Sequence, residues 1–335
     1  MTSLLTVSDL RVELPVGGRH RPILRGIDLE IGEGQALGLV GESGSGKSMT
    51  ARSIARTLPK GARVSGEIIV AGRSVLDLTG AALRRYRIEV MAMIFQDPRA
   101  HINPVHRIGD FLTEALRTNL GVSRREATAR VSRLLADVGI ADAAERMHQF
   151  PDQLSGGLLQ RVMIASALAT EPQLILADEP TTALDVSTQN DVMAILDRLR
   201  RERGMAMLFV THDLDLAAAV CERLAVMYAG ALVEEQTSEM LHRAPRHPYS
   251  AGLSASRPRV DAASPRLRAI PGRPLSAFDV PPGCCAFASR CAFAQDRCRE
   301  NAPPMEPTSH GRVACLRHTE IAAELVPADT VGSAP

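Results

Sequence analysis

The sequence predicts an α/β fold built on a layered, parallel β-sheet, and three observations lead to this prediction. Short aliphatic runs such as 35–40 and 174–177 alternate with helical patterns such as 124–138, an alternation typical of parallel sheets. Apolar residues make up 45% of the 335 residues but aromatic residues only 3%, so the core must be mostly aliphatic, as it is in such sheets. A glycine-rich loop at 41–48 also joins a predicted strand to a predicted helix.

Each element is predicted from its local pattern. Short aliphatic runs predict strands at 35–40, 67–70, 88–95, 174–177 and 205–210. One helix follows the glycine-rich loop and ends near Pro59. A second helix covers 124–138, where four apolar residues fall on one face before Gly139, and a third runs through 192–199 towards Gly204.

A change in composition marks a boundary near residue 245. Eight of the 21 prolines precede this position and 13 lie at or beyond it, together with five of the six cysteines. Such a segment has little periodic structure from which to build a core. We therefore expect it either to pack on the first part of the chain or to be held together by a metal centre. The last residues, 324–335, are predicted to form a flexible tail.

Charge and hydropathy argue against several classes of protein, although a local basic patch would still be compatible with the overall charge. The net charge is +1, so no global positive field would attract nucleic acid. No apolar stretch approaches the roughly 20 residues that cross a bilayer, and residues 1–11 lack the apolar core of a signal peptide. We therefore expect a cytoplasmic chain, in which stable disulfides are rare.

The segment Gly41–Ser48, with the sequence GESGSGKS, fits the P-loop pattern GxxxxGK[ST]. It follows a predicted strand and opens a predicted helix, which is the context that the pattern requires. Its backbone N–H groups can surround phosphates, Lys47 supplies positive charge, and Ser48 offers a hydroxyl to Mg²⁺. The alternative, a glycine- and serine-rich turn that happens to contain a lysine, does not account for the flanking strand and helix.

Two further segments add candidate residues. The strand 174–177 leads into Asp178 and Glu179, which places carboxylates at the sheet edge where ligands bind. Asp178 would hold Mg²⁺, and Glu179 could act as a general base on the attacking water. Alone, this acidic pair would be an ordinary solvated strand end. The segment Leu154–Gly157, with the sequence LSGG, predicts a helix N-terminus and a second anion site, although alone it would be an ordinary helix cap.

The order and spacing of these motifs over residues 1 to about 240 resemble those of ABC-type ATPases. The resemblance implies that Gln96 is the glutamine that senses Mg²⁺ and the membrane partner, and that His212 contacts the γ-phosphate. It implies that Ser155 and Gly157 contact the γ-phosphate across a dimer. It also implies that Asp185 lies in the D-loop, which follows Asp178 and Glu179. The implied nucleotide-binding residues are Gly41, Ser43, Gly44, Ser45, Gly46, Lys47, Ser48, Met49, Gln96, Ser155, Gly157 and Asp178. Those implied for Mg²⁺ are Ser48, Gln96 and Asp178.

Further segments narrow the resemblance to the ATP-binding subunits of oligopeptide and dipeptide importers. These segments are 94–98, 153–157, 161–165, 247–250 and 270–272. The resemblance implies a nucleotide-binding domain at 1–244, with a helical subdomain at about 97–170, and a C-terminal extension at 245–323. It implies ATP hydrolysis that drives import of di- or oligopeptides. Nickel and glutathione importers share this architecture and remain alternatives.

The same resemblance implies partners and a location. The chain is similar to the first of two distinct ATPases, so a heterodimer with a related ATPase is expected. Two integral-membrane permeases and, indirectly, an extracytoplasmic peptide-binding protein complete the expected assembly, with the chain on the cytoplasmic face of the inner membrane and no nucleic acid bound.

Two departures from the family pattern concern the nucleotide site. Leu158 follows the LSGG segment where many ABC proteins have glutamine, a position that varies in this subfamily. Residues 1–85 contain no aromatic residue that could stack on adenine. Leu14 or His20 could substitute, with a loss of roughly 1 kcal/mol of stacking.

Four cysteines of the C-terminal extension are candidate metal ligands. Cys285, Cys291, Cys298 and Cys315 are separated by five, six and sixteen residues. Zinc sites use tighter pairs, so these spacings favour a 4Fe–4S cluster, and the resemblance agrees because some family members are thought to bind one. Zinc and unliganded thiols remain alternatives. Cys284 is the spare cysteine, because Cys285–Cys291 matches the family pattern.

Two other functions compete with transport. A soluble ABC ATPase that acts on nucleic acid or ribosomes would carry two cassettes or a long coiled coil, and this sequence shows one cassette and no heptad run. A metal- or redox-sensing module would be built on the cysteines, with ATP hydrolysis as a secondary activity.

Overall fold

Two β-sheets and the helices around them form the fold, which the computed structural model describes over residues 3–181, 184–256 and 269–326. The strands of these residues are β1 (Ser3–Val16), β2 (Arg19–Gly32), β3 (Ala36–Val40), β4 (Arg63–Val70), β5 (Arg73–Ser74), β6 (Met91–Ile94), β7 (Leu174–Asp178), β8 (Ala206–Thr211), β9 (Arg223–Tyr228), β10 (Ala231–Thr237), β11 (Glu306–Thr308) and β12 (Gly311–Val313).

The α-helices of the same ranges are α1 (Lys47–Ile54), α2 (Gly80–Arg85), α3 (Pro98–His101), α4 (Ile108–Thr118), α5 (Arg124–Asp137), α6 (Ala143–Arg146), α7 (Gly156–Leu168), α8 (Val186–Glu202), α9 (Leu214–Val220), α10 (Ser238–Arg243), α11 (Pro248–Ala255), α12 (Asp296–Glu300) and α13 (Ala322–Leu325). A π-helical turn covers Tyr86–Val90, and 3₁₀ turns cover Pro151–Gln153 and Ala277–Asp279.

The larger sheet has the strand order β11-β12-β10-β9-β3-β8-β7-β6, and the smaller has the order β2-β1-β4-β5. Strands β9, β3, β8, β7 and β6 are parallel, whereas β10, β12 and β11 continue the larger sheet in antiparallel pairs. The smaller sheet is antiparallel throughout. Because β3, β6, β7 and β8 are parallel, the segments that follow them meet at one edge of the larger sheet.

The parallel strands are mostly apolar because both faces of the sheet are covered. In β3, Ala36 and Val40 belong to the core beneath the helices, whereas Leu37 and Leu39 belong to the core shared with the smaller sheet. Side chains of a strand alternate between its two faces, so both sets must be apolar. The predicted parallel α/β sheet is thus confirmed.

The helices between β6 and β7 pack on the first of these cores. Helix α5 begins where the Ser123 hydroxyl accepts a hydrogen bond from the Glu126 N–H, a capping arrangement that fixes its start. Its apolar face buries Val131 and Leu135, as the periodicity predicted. Helix α1, in contrast, ends at Ile54 rather than near Pro59.

The predicted strand at 88–95 was wrong in its first half. The chain forms a π-helical turn over Tyr86–Val90, and β6 covers only Met91–Ile94. Long-range contacts outweigh the local preference here: the buried Tyr86 hydroxyl donates to the carbonyl of Ile54, and the Arg87 guanidinium donates to the carbonyl of Ala55. Both bonds hold this turn against the end of α1.

The long hairpin of β1 and β2 was not predicted. Strand β1 carries a bulge, because its pairing with β4 shifts between Ser8 and Arg11 and Asp9 adopts a left-handed φ of 44°. A bulge moves the later side chains to the opposite face, so the apolar alternation is interrupted. Gly66 lies opposite, where a β-carbon would be 2.3 Å from the carbonyl oxygen of Asp9.

The C-terminal segment packs on the rest of the chain instead of forming a core of its own. Strand β12 pairs with β10, and Ala277 is buried in the core shared by the two sheets. Phe287 packs against Tyr228 and Tyr249, with ring centroids 5.2 and 5.3 Å away. The segment is therefore attached through both a sheet edge and an aromatic cluster.

Within these described ranges, no helix has the length and apolar character needed to span a membrane. The first two residues of the tail predicted at 324–335 instead belong to α13, and the tail from 327 onward lies outside the described residues.

Candidate functional site

The P-loop lies between β3 and α1, in the arrangement that the sequence predicted. Gly41 and Gly46 have φ values of 151° and 108°, which favour glycine. A β-carbon at Gly41 would lie 2.3 Å from the carbonyl oxygen of Met227, so no larger residue fits there. The Ser45 hydroxyl is buried without a hydrogen-bond partner among the described residues. The Ser45 hydroxyl is thus one polar group of the loop that is available to a ligand at the start of α1.

The P-loop residues differ in accessibility, with Ser43 and Gly44 exposed and Lys47 buried. The Lys47 ammonium donates to the carbonyl oxygens of Gly41 at 2.8 Å and of Glu42 at 3.0 Å. Burial lowers the pKa of Lys47, and the carboxylates nearby oppose this shift. Lys47 is therefore held inside the loop, beside the position where phosphates would bind.

Ser48 and Asp178 form a second part of the site. The Ser48 hydroxyl donates to Asp178 at 2.7 Å. Asp178 is buried, which raises the pKa of its carboxyl, while the hydrogen bond from Ser48 lowers it. Both side chains offer oxygen atoms, the ligands that Mg²⁺ prefers. Met49, next along α1, instead packs against the core between the two sheets.

Gln96, Glu179 and His212, which follow three neighbouring strands, lie close together. The Gln96 amide nitrogen donates to the Glu179 carboxylate at 3.2 Å, and His212 Nδ1 lies 3.5 Å from the same oxygen. Glu179 has a left-handed φ of 46°, and its N–H donates to the carbonyl of Val210. A non-glycine residue in this conformation is strained by about 1 kcal/mol or more, a feature that clusters at functional sites.

The LSGG segment caps α7 and packs on the start of α8. The Ser155 hydroxyl accepts from the Leu158 N–H at 3.4 Å, and a β-carbon at Gly157 would lie 2.8 Å from the Thr188 methyl group. Asp185 caps α8 by accepting from Thr188, which lowers the pKa of its carboxyl. Ser155 thus caps its own helix, and Gly157 packs against the first turn of α8.

The two candidates for adenine contact lie in the β1–β2 hairpin. Leu14 is half-buried against the core between the sheets and pairs with Arg21. His20 Nε2 lies 3.1 Å from the carbonyl oxygen of Gly61. Leu14 therefore offers an aliphatic surface, whereas one edge of the His20 ring already has a polar neighbour.

Four cysteines line one small apolar cavity. Cys285, Cys291, Cys298 and Cys315 share it with Phe287. Burial raises the pKa of the Cys285 and Cys315 thiols to about 11 each, and the neighbouring cysteines add to this. In the described residues, no group of three or more His, Cys, Asp or Glu side chains is arranged to hold a metal ion. The shared cavity thus brings the thiols together, but not as ligands of a single ion.

The two other cysteines lie apart from this cavity. The Cys284 thiol donates to the carbonyl of Pro281 and lines a different groove. Cys221 is buried in the core beneath the helices, where burial raises the pKa of its thiol.

Two residues that contact the P-loop, Tyr249 and Arg290, were not predicted from the sequence as part of this site. The Glu42 carboxylate pairs with Arg290, and the Glu42 N–H donates to the Tyr249 hydroxyl. Arg290 and Tyr249 follow Glu42 by more than 200 residues, so no local pattern could have connected them.

Comparison with known proteins identifies two family regions. Residues 24–182 match the ABC transporter family, and residues 233–298 match the family described as oligopeptide/dipeptide transporter, C-terminal region. The second match begins within β10 and ends at Cys298.

Similarity also extends over nearly the whole chain. The oligopeptide transport ATP-binding protein OppD of Salmonella typhimurium is 41% identical, over 95% of this chain and 94% of that protein. OppD of Escherichia coli is 40% identical, over 95% of this chain and 94% of that protein. Among solved structures, the dimeric bacterial ABC transporter cassette MJ0796 has a TM-score of 0.63 and 28% identity, and covers 70% of this chain and 98% of its own.

Proposed function

The chain belongs to the ATP-binding subunits of oligopeptide ABC transporters, and we propose that it hydrolyses ATP to energise import of di- and oligopeptides through a membrane transporter. The observation that carries this proposal is the similarity to OppD at about 40% identity over nearly the full length. The fold and the grouping of Lys47, Asp178 and Glu179 support the ATPase activity. The match over 233–298 supports a peptide transporter in particular.

Uptake by the reconstituted transporter tests this function. The chain would be purified with its permeases and the second ATPase, placed in liposomes with the peptide-binding protein outside, and supplied with internal ATP. We expect ATP-dependent uptake of labelled di- or oligopeptides. Nickel ions and glutathione are the matched competing substrates, and uptake of either one without peptide uptake would contradict the proposal.

In the proposed mechanism, the P-loop amides and Lys47 bind the phosphates of ATP. Ser48, Gln96 and Asp178 would hold Mg²⁺, which when bound neutralises negative charge on the phosphates; the Ser48 and Asp178 oxygens, 2.7 Å apart, fit such a site. Leu14 provides aliphatic contact for adenine in place of an aromatic ring.

Glu179 acts as the general base. A water oxygen attacks the γ-phosphorus, the bond from that phosphorus to the oxygen of ADP breaks, and Glu179 accepts the proton of the water. Gln96 orients the Glu179 carboxylate by its hydrogen bond. His212 contacts the γ-phosphate from the next strand, where its ring already lies beside Glu179.

Two cassettes are needed to complete each ATP site. Ser155 is exposed at the start of α7, and we propose that Ser155 and Gly157 contact the γ-phosphate bound to the opposite subunit. The dimeric form of the MJ0796 cassette supports this arrangement. The partner is a related second ATPase, and the pair contacts two permeases on the cytoplasmic face of the inner membrane; no nucleic acid takes part.

Mass determination of the intact complex checks the composition. We expect one copy of this chain, one related ATPase and two permeases, because the chain resembles the first of two distinct ATPases. A complex with two copies of this chain and no related ATPase would show a homodimer instead.

For the cysteines, we propose a 4Fe–4S cluster held by Cys285, Cys291, Cys298 and Cys315, with zinc as the alternative. Their common cavity supports the proposal. The four thiols are not arranged to hold a metal ion among the residues that the structure describes, and the preference for a cluster over zinc rests on the sequence spacing of the cysteines, which is wider than in zinc sites. When bound, the cluster supplies folding energy, and its role is structural because ATP-driven transport requires no electron.

We also propose that residues 1–244 form the nucleotide-binding domain, with a helical subdomain at about 97–170, and that 245–323 form the extension. The position of α3–α7 between β6 and β7 supports the subdomain. The family match over 233–298 supports the extension.

A further inference from the structure

A single arginine connects the cysteine-bearing segment to the P-loop. Arg290 lies in the loop between Cys285 and Cys291, and Glu42 is the second residue of the P-loop. Arg290 Nη1 and Nη2 donate to the two Glu42 carboxylate oxygens at 2.8 and 3.1 Å. The Arg290 side chain is only 4% exposed. This is a bidentate, largely buried pair, which is stronger and more directional than a surface ion pair.

Arg290 is fixed in this orientation from several sides. Its Nε donates to the carbonyl of Pro271 at 2.9 Å, and Nη1 also donates to the Tyr228 hydroxyl at 3.4 Å. The guanidinium lies over the rings of Tyr228 and Phe287, 5.7 and 5.9 Å from their centroids. The pairing with Glu42 raises the pKa of Arg290. The guanidinium thus has little freedom to turn away, and it transmits the position of the segment to Glu42.

Glu42 in turn fixes the groups that face the phosphates. Its N–H donates to the Tyr249 hydroxyl at 2.9 Å, so both its backbone and its side chain are held by residues beyond 245. Its carbonyl oxygen accepts from the Lys47 ammonium at 3.0 Å and from the Ser45 N–H at 3.2 Å. A shift of Glu42 would therefore move Lys47 and the Ser45 amide together.

We infer that Arg290 is a positioning residue of the nucleotide site: through Glu42 it holds the P-loop in the shape that binds ATP, so the fold of the cysteine-bearing segment sets the affinity for nucleotide. The inference rests on the proposed ATP-binding function and goes beyond it, because it gives the C-terminal extension a part in nucleotide binding. It does not depend on a metal, since every contact involved is between protein atoms.

The test compares variants of the full chain in its purified complex. Arg290→Ala removes the ion pair. Arg290→Lys keeps the positive charge but cannot form the two parallel hydrogen bonds of the guanidinium, and Glu42→Gln removes the negative charge but keeps a polar side chain. Arg297→Ala is the matched control, because Arg297 is in the same segment and pairs with Glu320 at the surface. For each, the dissociation constant of a fluorescent ATP analogue, KM, kcat and the unfolding temperature are measured.

We expect Arg290→Ala to raise the dissociation constant and KM about tenfold, which is less than the full cost of removing one partner of a buried pair because the P-loop keeps its other contacts, with kcat within about twofold at saturating ATP. Arg290→Lys should be intermediate and Arg297→Ala unchanged. Glu42→Gln removes the carboxylate that Arg290→Ala leaves unpaired. The double variant with both changes should therefore bind the ATP analogue no more weakly than Arg290→Ala alone.

A purely structural role predicts a different outcome, in which the unfolding temperature falls while the dissociation constant of the folded protein stays at the wild-type value. That result, or equal weakening by Arg297→Ala, would overturn the inference. If Arg290→Ala fails to fold, the dissociation constants and unfolding temperatures of Glu42→Gln and Arg290→Lys are compared in the same way to test the inference. Failure of the wild-type complex to bind the analogue would instead contradict the proposed function.

Discussion

Replacing Glu179 with glutamine is expected to lower the rate of ATP hydrolysis by about 100-fold or more, since a general base contributes a factor of this order. Glutamine has nearly the same shape as glutamate but cannot accept the proton of the attacking water. ATP binding should persist, because the P-loop, Lys47 and Asp178 are unchanged. The variant should therefore retain ATP and trap the closed dimer, and phosphate release together with retained nucleotide measures both effects.

Lys47→Ala is the matched comparison for this experiment. It removes the positive charge that lies beside the phosphate position, so it should weaken ATP binding instead of leaving ATP trapped. Together, Lys47→Ala and Glu179→Gln distinguish the residues needed for ATP binding from those needed for ATP hydrolysis. Hydrolysis by Glu179→Gln at the wild-type rate would show that another group takes the proton.

The second large effect is expected at the cysteine cavity. Protein purified without oxygen should be brown, with broad visible absorption and bound iron. Serine at Cys285, Cys291, Cys298 or Cys315 should abolish the colour, because each thiolate of a Cys₄ cluster binds its own iron. Absorption spectra and metal analysis of each variant provide the measurement.

Cys284→Ser is the control for that series. Cys284 is adjacent to Cys285 in the chain, but its thiol donates to the carbonyl of Pro281 outside the cavity, so the colour should remain. A colourless anaerobic sample with one equivalent of zinc and no iron would exclude the cluster and keep the four thiolates as ligands.

The meeting of Gln96, Glu179 and His212 could be predicted because each residue follows a parallel strand. Strands β6, β7 and β8 are neighbours in the sheet, and parallel strands place the segments after them along one edge. Local aliphatic runs mark these strands, and the P-loop pattern marks the adjacent strand β3. Strand direction thus accounts for the meeting of the three residues, whereas the roles expected of Gln96 and His212 came from the resemblance to ABC-type ATPases.

The remaining contacts could not be predicted because they depend on distant parts of the chain. The bulge at Asp9 interrupts the alternation that would have marked β1. The π-helical turn at Tyr86–Val90 is held by α1, and no local pattern encodes it. Arg290 and Glu42 are 248 residues apart, and an arginine between two cysteines gives no indication of its partner. Only the folded chain brings them together.

The pairing of β12 with β10 has a consequence for the order in which the protein is synthesised. Strand β10 emerges from the ribosome well before Gly311–Val313, which later pair with Glu234, Glu235 and Gln236. In that interval, one edge of β10 is open to any other strand, the condition that favours aggregation. Until then the buried Glu235 carboxylate is paired with Arg223 alone and lacks its second partner, Arg312. The edge of β10 is therefore covered only when nearly the whole chain has been synthesised.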